Sequence, residues 1–263
     1  MSPPPSPRVK KADLPAWLED LYLRYNRREF VSPDPLELVY ETPDPAEAEI
    51  VGFLASTLSY GRVASILASS RDLLRRMDGR PRHFLLSSRD AEWADRLHGF
   101  VHRWSGAGEM LALWHGLRRV LVNHGSLHAA FRAGASAADA NVLPALTHLV
   151  RELGVTNSLV ADPAKNGASK RLHMFLRWMI RLDAVDPGLW AGLDPARLLM
   201  PLDVHSFGQC RRLGLTRRAQ PNLAAVLDIT RAFARIRPDD PVRYDFALTR
   251  GGIRGEVEPP EAT

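Results

Sequence analysis

Apolar residues recur at steps of three and four along almost all of this 263-residue chain, and no stretch alternates apolar and polar residues as a half-buried strand would. Leu14, Trp17, Leu18, Leu21, Tyr22 and Tyr25 form one such helix face. Asp44-Pro45-Ala46-Glu47 reads as a helix start, with Asp44 as N-cap, Pro45 in the first turn and Glu47 placed to close a capping box. The helix it opens carries Ile50, Phe53, Leu54, Thr57 and Leu58, with Gly61 as its stop. Periodicity predicts further helices over 63–74, 93–104, 110–122, 141–153, 170–182, 204–213, 223–236 and 241–250. About ten helices in a chain of this length predict an all-α fold, a helical bundle without a sheet.

Composition narrows the function classes. With 45% apolar and 25% charged residues the chain is neither disordered nor fibrous, and it is long enough to bury a core as one domain or as two lobes. One cysteine, Cys210, excludes an internal disulfide, a four-cysteine zinc site and a cysteine-ligated iron–sulfur cluster. No apolar run reaches the ~18 residues of a membrane span, and no signal-like apolar region opens the chain. The expectation is a cytoplasmic monomer with no membrane partner. Residues 1–12, proline-rich and basic, and residues 254–263 are expected to be disordered tails around a single domain over 13–253.

The segment 167–218 carries the chemistry. It holds nine cations against four aspartates, an excess as large as the net +5 of the whole chain. In the helix expected from Lys170, with Ser169 as N-cap, Leu172, Phe175, Leu176 and Met179 make an apolar stripe. Lys170, His173, Arg177 and Arg181 fall in a line on the other side. That line is either a solvated basic face or a cationic stripe lining a groove for phosphates. Further on, Asp203 in Pro201-Leu202-Asp203-Val204-His205 stands where a helix N-cap belongs, a position that also holds a carboxylate rigid and ionised.

Lys170-Arg171-Leu172-His173-Met174-Phe175-Leu176-Arg177, followed at a distance by Leu202-Asp203-Val204-His205, resembles the core of the helix-hairpin-helix DNA glycosylases. The motifs are closest to archaeal-type 8-oxoguanine DNA glycosylases and to endonuclease III. Residues 49–59 resemble that superfamily's early helix, which ends at a loop inserted into DNA, and residues 244–252 its late helix. The same segments, with Asp240-Pro241-Val242-Arg243 before the last, are also similar to a bacterial family known only as a domain of unknown function. Residues 74–164 match nothing quotable. The departures are specific. The hairpin reads Ala164-Lys165-Asn166-Gly167-Ala168-Ser169, with one glycine where relatives have two. Residues 183–200 stretch the Lys–Asp separation, and Gly61-Arg62 stands where relatives place a wedging glutamine.

The resemblance implies a two-lobed all-α fold with a cleft, and Lys170 and Asp203 facing each other in it within ~6 Å, a distance at which opposite charges couple. It implies a base-excision glycosylase with lyase activity on a modified base. An amine attacks the anomeric carbon and a fixed carboxylate stabilises the charge that develops on the sugar. The base must leave the stack, which needs a pocket and a wedge. Tyr60 and Arg62 are the candidates for stacking and wedging, Asn166 and Gly167 for the hairpin's phosphate contact, and Arg177, Arg181 and Arg211 for groove cations. His205 is either a phosphate or sugar contact or a satisfied core histidine. DNA is the expected partner. Two other readings stay open, a non-catalytic nucleic-acid binder on the same scaffold and a helical interaction domain. His98 with His102, and His124 with His128 across Gly125, have the i, i+4 spacing of metal ligands. No acidic partner stands at a recognised offset, so no metal or other cofactor is expected. Trp93, Trp104, Trp114 and Trp178 fit a core or groove lining.

Overall fold

Asp44 accepts from the Ala46 amide at 2.9 Å with Pro45 behind it, and so opens helix α3 (Pro45–Thr57), whose residues 47–57 are all buried. The structure is a computed structural model that describes residues 8–9, 12–253 and 261–262. The remaining residues of the expected tails lie outside the described residues.

The other helices of this part of the chain are α1 (Leu14–Tyr25), α2 (Glu37–Tyr40), α4 (Val63–Arg76), α5 (Pro81–Ser87), α6 (Asp90–Arg96), α7 (Ala107–His124), α8 (Leu127–Ala133) and α9 (Leu143–Leu153), of which α2, α4 and α5 pack on α3. The chain continues through α10 (Lys170–Ile180), α11 (Val204–Arg212), α12 (Leu223–Ala234) and α13 (Asp245–Ile253). Two strand pairs of two residues each complete it. β1 (Arg8–Val9) runs parallel to β4 (Glu261–Ala262), and β2 (Val101–His102) antiparallel to β3 (Ser105–Gly106). The fold is mostly helical, and no helix among the described residues is long and apolar enough to cross a membrane.

Three elements depart from the periodic reading. The helix expected over 93–104 ends at Arg96, because Gly99 turns the chain at φ +70° and Arg103, at φ +55°, makes the tip of the β2–β3 hairpin. His98 and His102 are therefore not on one helix face. The short helices α5 and α8 have too few turns for a periodic signal, and buried carboxylates of α3 cap both from a distance. Glu47 closes no box on its own helix; it accepts from the amides of Arg82 at 2.7 Å and His83 at 3.0 Å. Glu49 accepts from the amides of Leu127 and His128, each at 2.9 Å, and from Trp190 Nε1 at 2.7 Å. A carboxylate at a helix amino end satisfies orphan donors and meets the positive end of the dipole. Burial still pushes the Glu49 carboxyl above its ordinary value, against those three donors.

Helix α10 packs across α3. Gly52 permits the approach, since a Cβ there would stand 3.1 Å from Met179 Cε and 3.2 Å from Val39 Cγ2, while Phe53 and Phe175 meet edge to face at 5.1 Å. The side of α10 opposite its apolar stripe is largely buried as well, so in the line Lys170, His173, Arg177, Arg181 only Lys170 is partly exposed and the line is not a solvated face. Arg177 bonds Asp186 at 3.2 Å and pairs with Asp245 at the start of α13. Arg181 holds Asp183 at 2.7 Å and Asp240 at 2.9 Å, and pairs with Asp186. Both arginines are buried, with their charges paired to aspartates inside the fold. The 183–200 segment that lengthens the Lys–Asp separation supplies two of these aspartates.

Two predictions follow from α10. Arg181→Met strands Asp183, Asp186 and Asp240 without their shared cation, and should lower unfolding free energy by about 3–5 kcal/mol in urea titrations. A loss below about 1 kcal/mol would show that the cluster does not hold the helix. His173 is fully buried with neither ring nitrogen bonded, and burial drives its pKa from 6.5 down to about 4. The unfolded chain therefore binds the extra proton first. The contribution is intact above pH 6.5 and drains away as pH falls through about 4. His173→Leu should flatten the stability–pH curve across that window, by about 3 kcal/mol in total.

Candidate functional site

Asp203 is the N-cap of α11, and its two oxygens divide the work. Oδ1 accepts from the amides of His205 and Ser206, each at 2.9 Å, while the Ser206 hydroxyl accepts from the Asp203 amide at 2.9 Å. This Asp-x-x-Ser box leaves Oδ2 free to face away from the helix. Lys170, the first residue of α10, brings Nζ to 3.1 Å from Oδ2. The two side chains are 32% and 34% exposed, so the pair is neither sealed nor fully solvated. Burial pushes the Asp203 carboxyl up, but the Lys170 ammonium and the Ser206 donors outweigh it and hold the carboxyl below its ordinary value.

The entry to α10 is unusual. Ser169 does not cap with its side chain; it sits at φ +44°, where L residues are seldom found, and its carbonyl accepts from Leu172 and His173 at 3.0 and 3.2 Å. Its hydroxyl is buried without a partner. The turn before it is braced from α12. Gly167 bridges to Asn222, and the Leu223 amide donates to the Asn166 carbonyl at 3.2 Å. Asn166 and Gly167 remain exposed but do not line the cavity described next.

Lys170 and Asp203 stand in the wall of a cavity of ≈ 910 Å³. It is bounded by the 59–62 loop, the first turns of α4, α10 and α11, and by α13. Arg62 and His205, both exposed, face it from two sides. Sequence reasoning did not single out two further acids on the wall. Asp34 is reached by Arg250 at 3.3 Å, and Asp245 is paired with Arg177. Burial raises both carboxyls above their ordinary value. Nor did it single out Arg171, which lies in the quoted motif next to Lys170. Its guanidinium donates to the Thr57 carbonyl at 2.5 Å and the Ser158 carbonyl at 2.7 Å, so it ties the end of α3 to the start of α10.

The remaining expected contacts divide. Tyr60 lines the cavity, but its ring is occupied by the protein itself. The Arg171 guanidinium lies 4.9 Å from its centre, Trp104 stacks on it at 4.8 Å and His102 meets it at 4.6 Å. Arg62 is the N-cap position of α4 rather than a residue of α3, which ends at Thr57. Arg211 is exposed in the last turn of α11, about 12 Å along the axis from Asp203 and outside the cavity. Arg177 borders the cavity with its charge already committed to Asp186 and Asp245, and Arg181 does not border it. The cations of 167–181 are thus held by partners within the fold, whereas Arg211, Arg212, Arg217 and Arg218 are exposed. Arg197 donates to the carbonyls of Ser136 at 2.8 Å and Ala137 at 3.0 Å, and Arg218 pairs with Asp228 at 2.5 Å. His124 pairs with Glu152 at 2.9 Å, and Gly125 at φ +81° separates it from His128.

What the arrangement offers chemically is limited and specific: a primary amine and an ionised carboxylate in contact, in the wall of an open cavity. No curated protein and no solved structure matches this chain. One protein-family profile, described as a protein of unknown function (DUF2400), matches residues 34–254, a span that takes in the helices around the cavity from α2 to α13. With that much of its length matched, the chain belongs to the DUF2400 family of proteins of unknown function.

Proposed function

We propose that the protein is a DNA base-excision glycosylase with lyase activity, with Lys170 as nucleophile and Asp203 as its carboxylate partner. The observation that carries this reading is the 3.1 Å contact between Lys170 Nζ and Asp203 Oδ2 at the wall of an open cavity of ≈ 910 Å³. The two residues come from separate helices and lie 33 positions apart in the sequence.

In the reaction, Asp203 accepts a proton from the Lys170 ammonium. The freed lone pair then forms a bond to C1′ of the damaged nucleotide. The glycosidic electron pair leaves with the base, which takes up a proton. Asp203, fixed by the α11 amides, gives the proton it took from Lys170 to the departing base, and the carboxylate so regenerated stabilises positive charge on the sugar. Ring opening yields an iminium between C1′ and Nζ. Loss of a C2′ proton expels the 3′ phosphate, and water hydrolyses the imine to free the enzyme. Arg62 and His205 are placed to meet backbone phosphates at the mouth.

A specific observation favours a second reading, a nucleic-acid binder without this chemistry. The turn before α10 has one glycine and is tied to Asn222 and Leu223, which constrains it as a phosphate-binding hairpin.

Borohydride reduction on an abasic-site duplex separates the two. The wild type should give a covalent adduct, Lys170→Gln should give none, and Asp203→Asn should slow its formation by about 10²–10⁴-fold, the range of a positioned proton acceptor. Retained binding with no wild-type adduct supports the binder alone. For either reading, affinity should fall steeply between about 50 and 200 mM salt, as expected when phosphates are neutralised. No measurable DNA affinity even at low salt would leave neither standing.

A further inference from the structure

The β2–β3 hairpin lies in the part of the chain where no motif points to a function, and its tip is built as if for contact. Trp104 is 65% exposed, and it is the only aromatic among the large apolar side chains exposed in the described residues. The other tryptophans of the expected core or groove set, Trp93, Trp114 and Trp178, are fully buried.

The tip is held rigidly. His102 is buried, with Nδ1 2.9 Å from Ser69 Oγ on α4 and Nε2 3.1 Å from the Tyr60 carbonyl. The Tyr60 hydroxyl lies 2.6 Å from Ser105 Oγ and donates to the His102 carbonyl at 3.0 Å. Arg103 takes the left-handed φ of +55° that turns the chain between them, and Trp104 lies on the Tyr60 ring at 4.8 Å and 25°. Gly61, at φ +100°, lets Arg103 come close, since a Cβ there would stand 2.8 Å from Arg103 Cδ. Arg103 also sits 5.2 Å from the centre of the Trp104 ring. Arg103 and Arg62, the latter two residues beyond Tyr60, are both exposed, and neither has an ion pair among the described residues. Tyr60, Gly61 and Arg62 at the same time line the cavity that holds Lys170 and Asp203.

From this juxtaposition we infer that Trp104, which adjoins the cavity through the Tyr60 ring, is a stacking platform for an unpaired nucleobase, with Arg62 and Arg103 meeting the flanking phosphates. The chemistry fits one occupant. A flat indole stacks on any base, and exposed guanidiniums on the same surface suit a polyanionic backbone rather than an apolar peptide. Tyr60, sequestered under Trp104, is the support of the platform and not its surface. The inference rests on the nucleic-acid reading above, but not on the lyase chemistry within it.

The test uses the full chain and a duplex carrying an abasic site opposite 2-aminopurine. Binding of the wild type should quench the 2-aminopurine emission, because the base stacks. Trp104→Ala should abolish the quenching and weaken binding by about 5- to 150-fold, the range one stacked base contributes. Trp104→Phe should restore most of both. An unchanged melting temperature for Trp104→Ala excludes loss of fold. If Trp104→Ala binds and quenches as the wild type does, the platform is overturned. Borohydride trapping is scored on the same duplex. An adduct with Trp104-independent quenching leaves the lyase standing alone, and Trp104-dependent quenching without an adduct leaves the platform standing alone.

Discussion

The ion pair between Arg177 and Asp245 sets the geometry on which the rest of the site depends. Arg177 lies two turns into α10, and Asp245 is the first residue of α13. Helix α11 packs on α13, so fixing α13 against α10 fixes the first turn of α11 against the first turn of α10. Lys170 and Asp203 occupy those two first turns. Inside a protein, a guanidinium shared among carboxylates is costly to disturb, because each partner left behind is a buried unpaired charge. The cluster of Arg177, Arg181, Asp183, Asp186, Asp240 and Asp245 therefore acts as a rigid key between helices far apart in sequence.

The same cluster changes the meaning of the chain's positive charge. An excess of cations in one segment invites an electrostatic reading in which the face attracts a polyanion. Most of those cations instead hold carbonyls or carboxylates within the fold. At the cavity itself the charges not held by buried carboxylates are few: Lys170 with Asp203 in the wall, and the exposed Arg62. Recognition built on so few free charges has to draw on stacking and shape as well as on Coulomb attraction, which is the role given to Trp104.

Carboxylates at helix amino ends recur as a building device. Asp44, Glu47, Glu49 and Asp203 each satisfy the first amides of a helix, two on their own element and two across the core. At Asp203 the device yields more than stability. One oxygen is consumed by the cap, the other is held in place at no further conformational cost, and the result is a preorganised acceptor.

The helical class, the start of α3 at Asp44 and the N-cap at Asp203 were legible in the sequence, because each depends on residues within one or two turns. The pairing of Lys170 with Asp203 was legible only through a resemblance, since no local rule joins residues from two helices. Burial of His173, Arg177 and Arg181 was not legible at all. Their spacing is that of an exposed polar face, and only the arrival of Asp183, Asp186, Asp240 and Asp245 from other segments makes it an interior one. The capping of α5 and α8 by Glu47 and Glu49, and the exposure of Trp104 on a hairpin where periodicity predicted a helix, were decided the same way. Local hydrogen bonding and periodicity are written in neighbouring residues, whereas the partner of a charge and the solvent exposure of a ring depend on which distant segments the packed chain brings beside them.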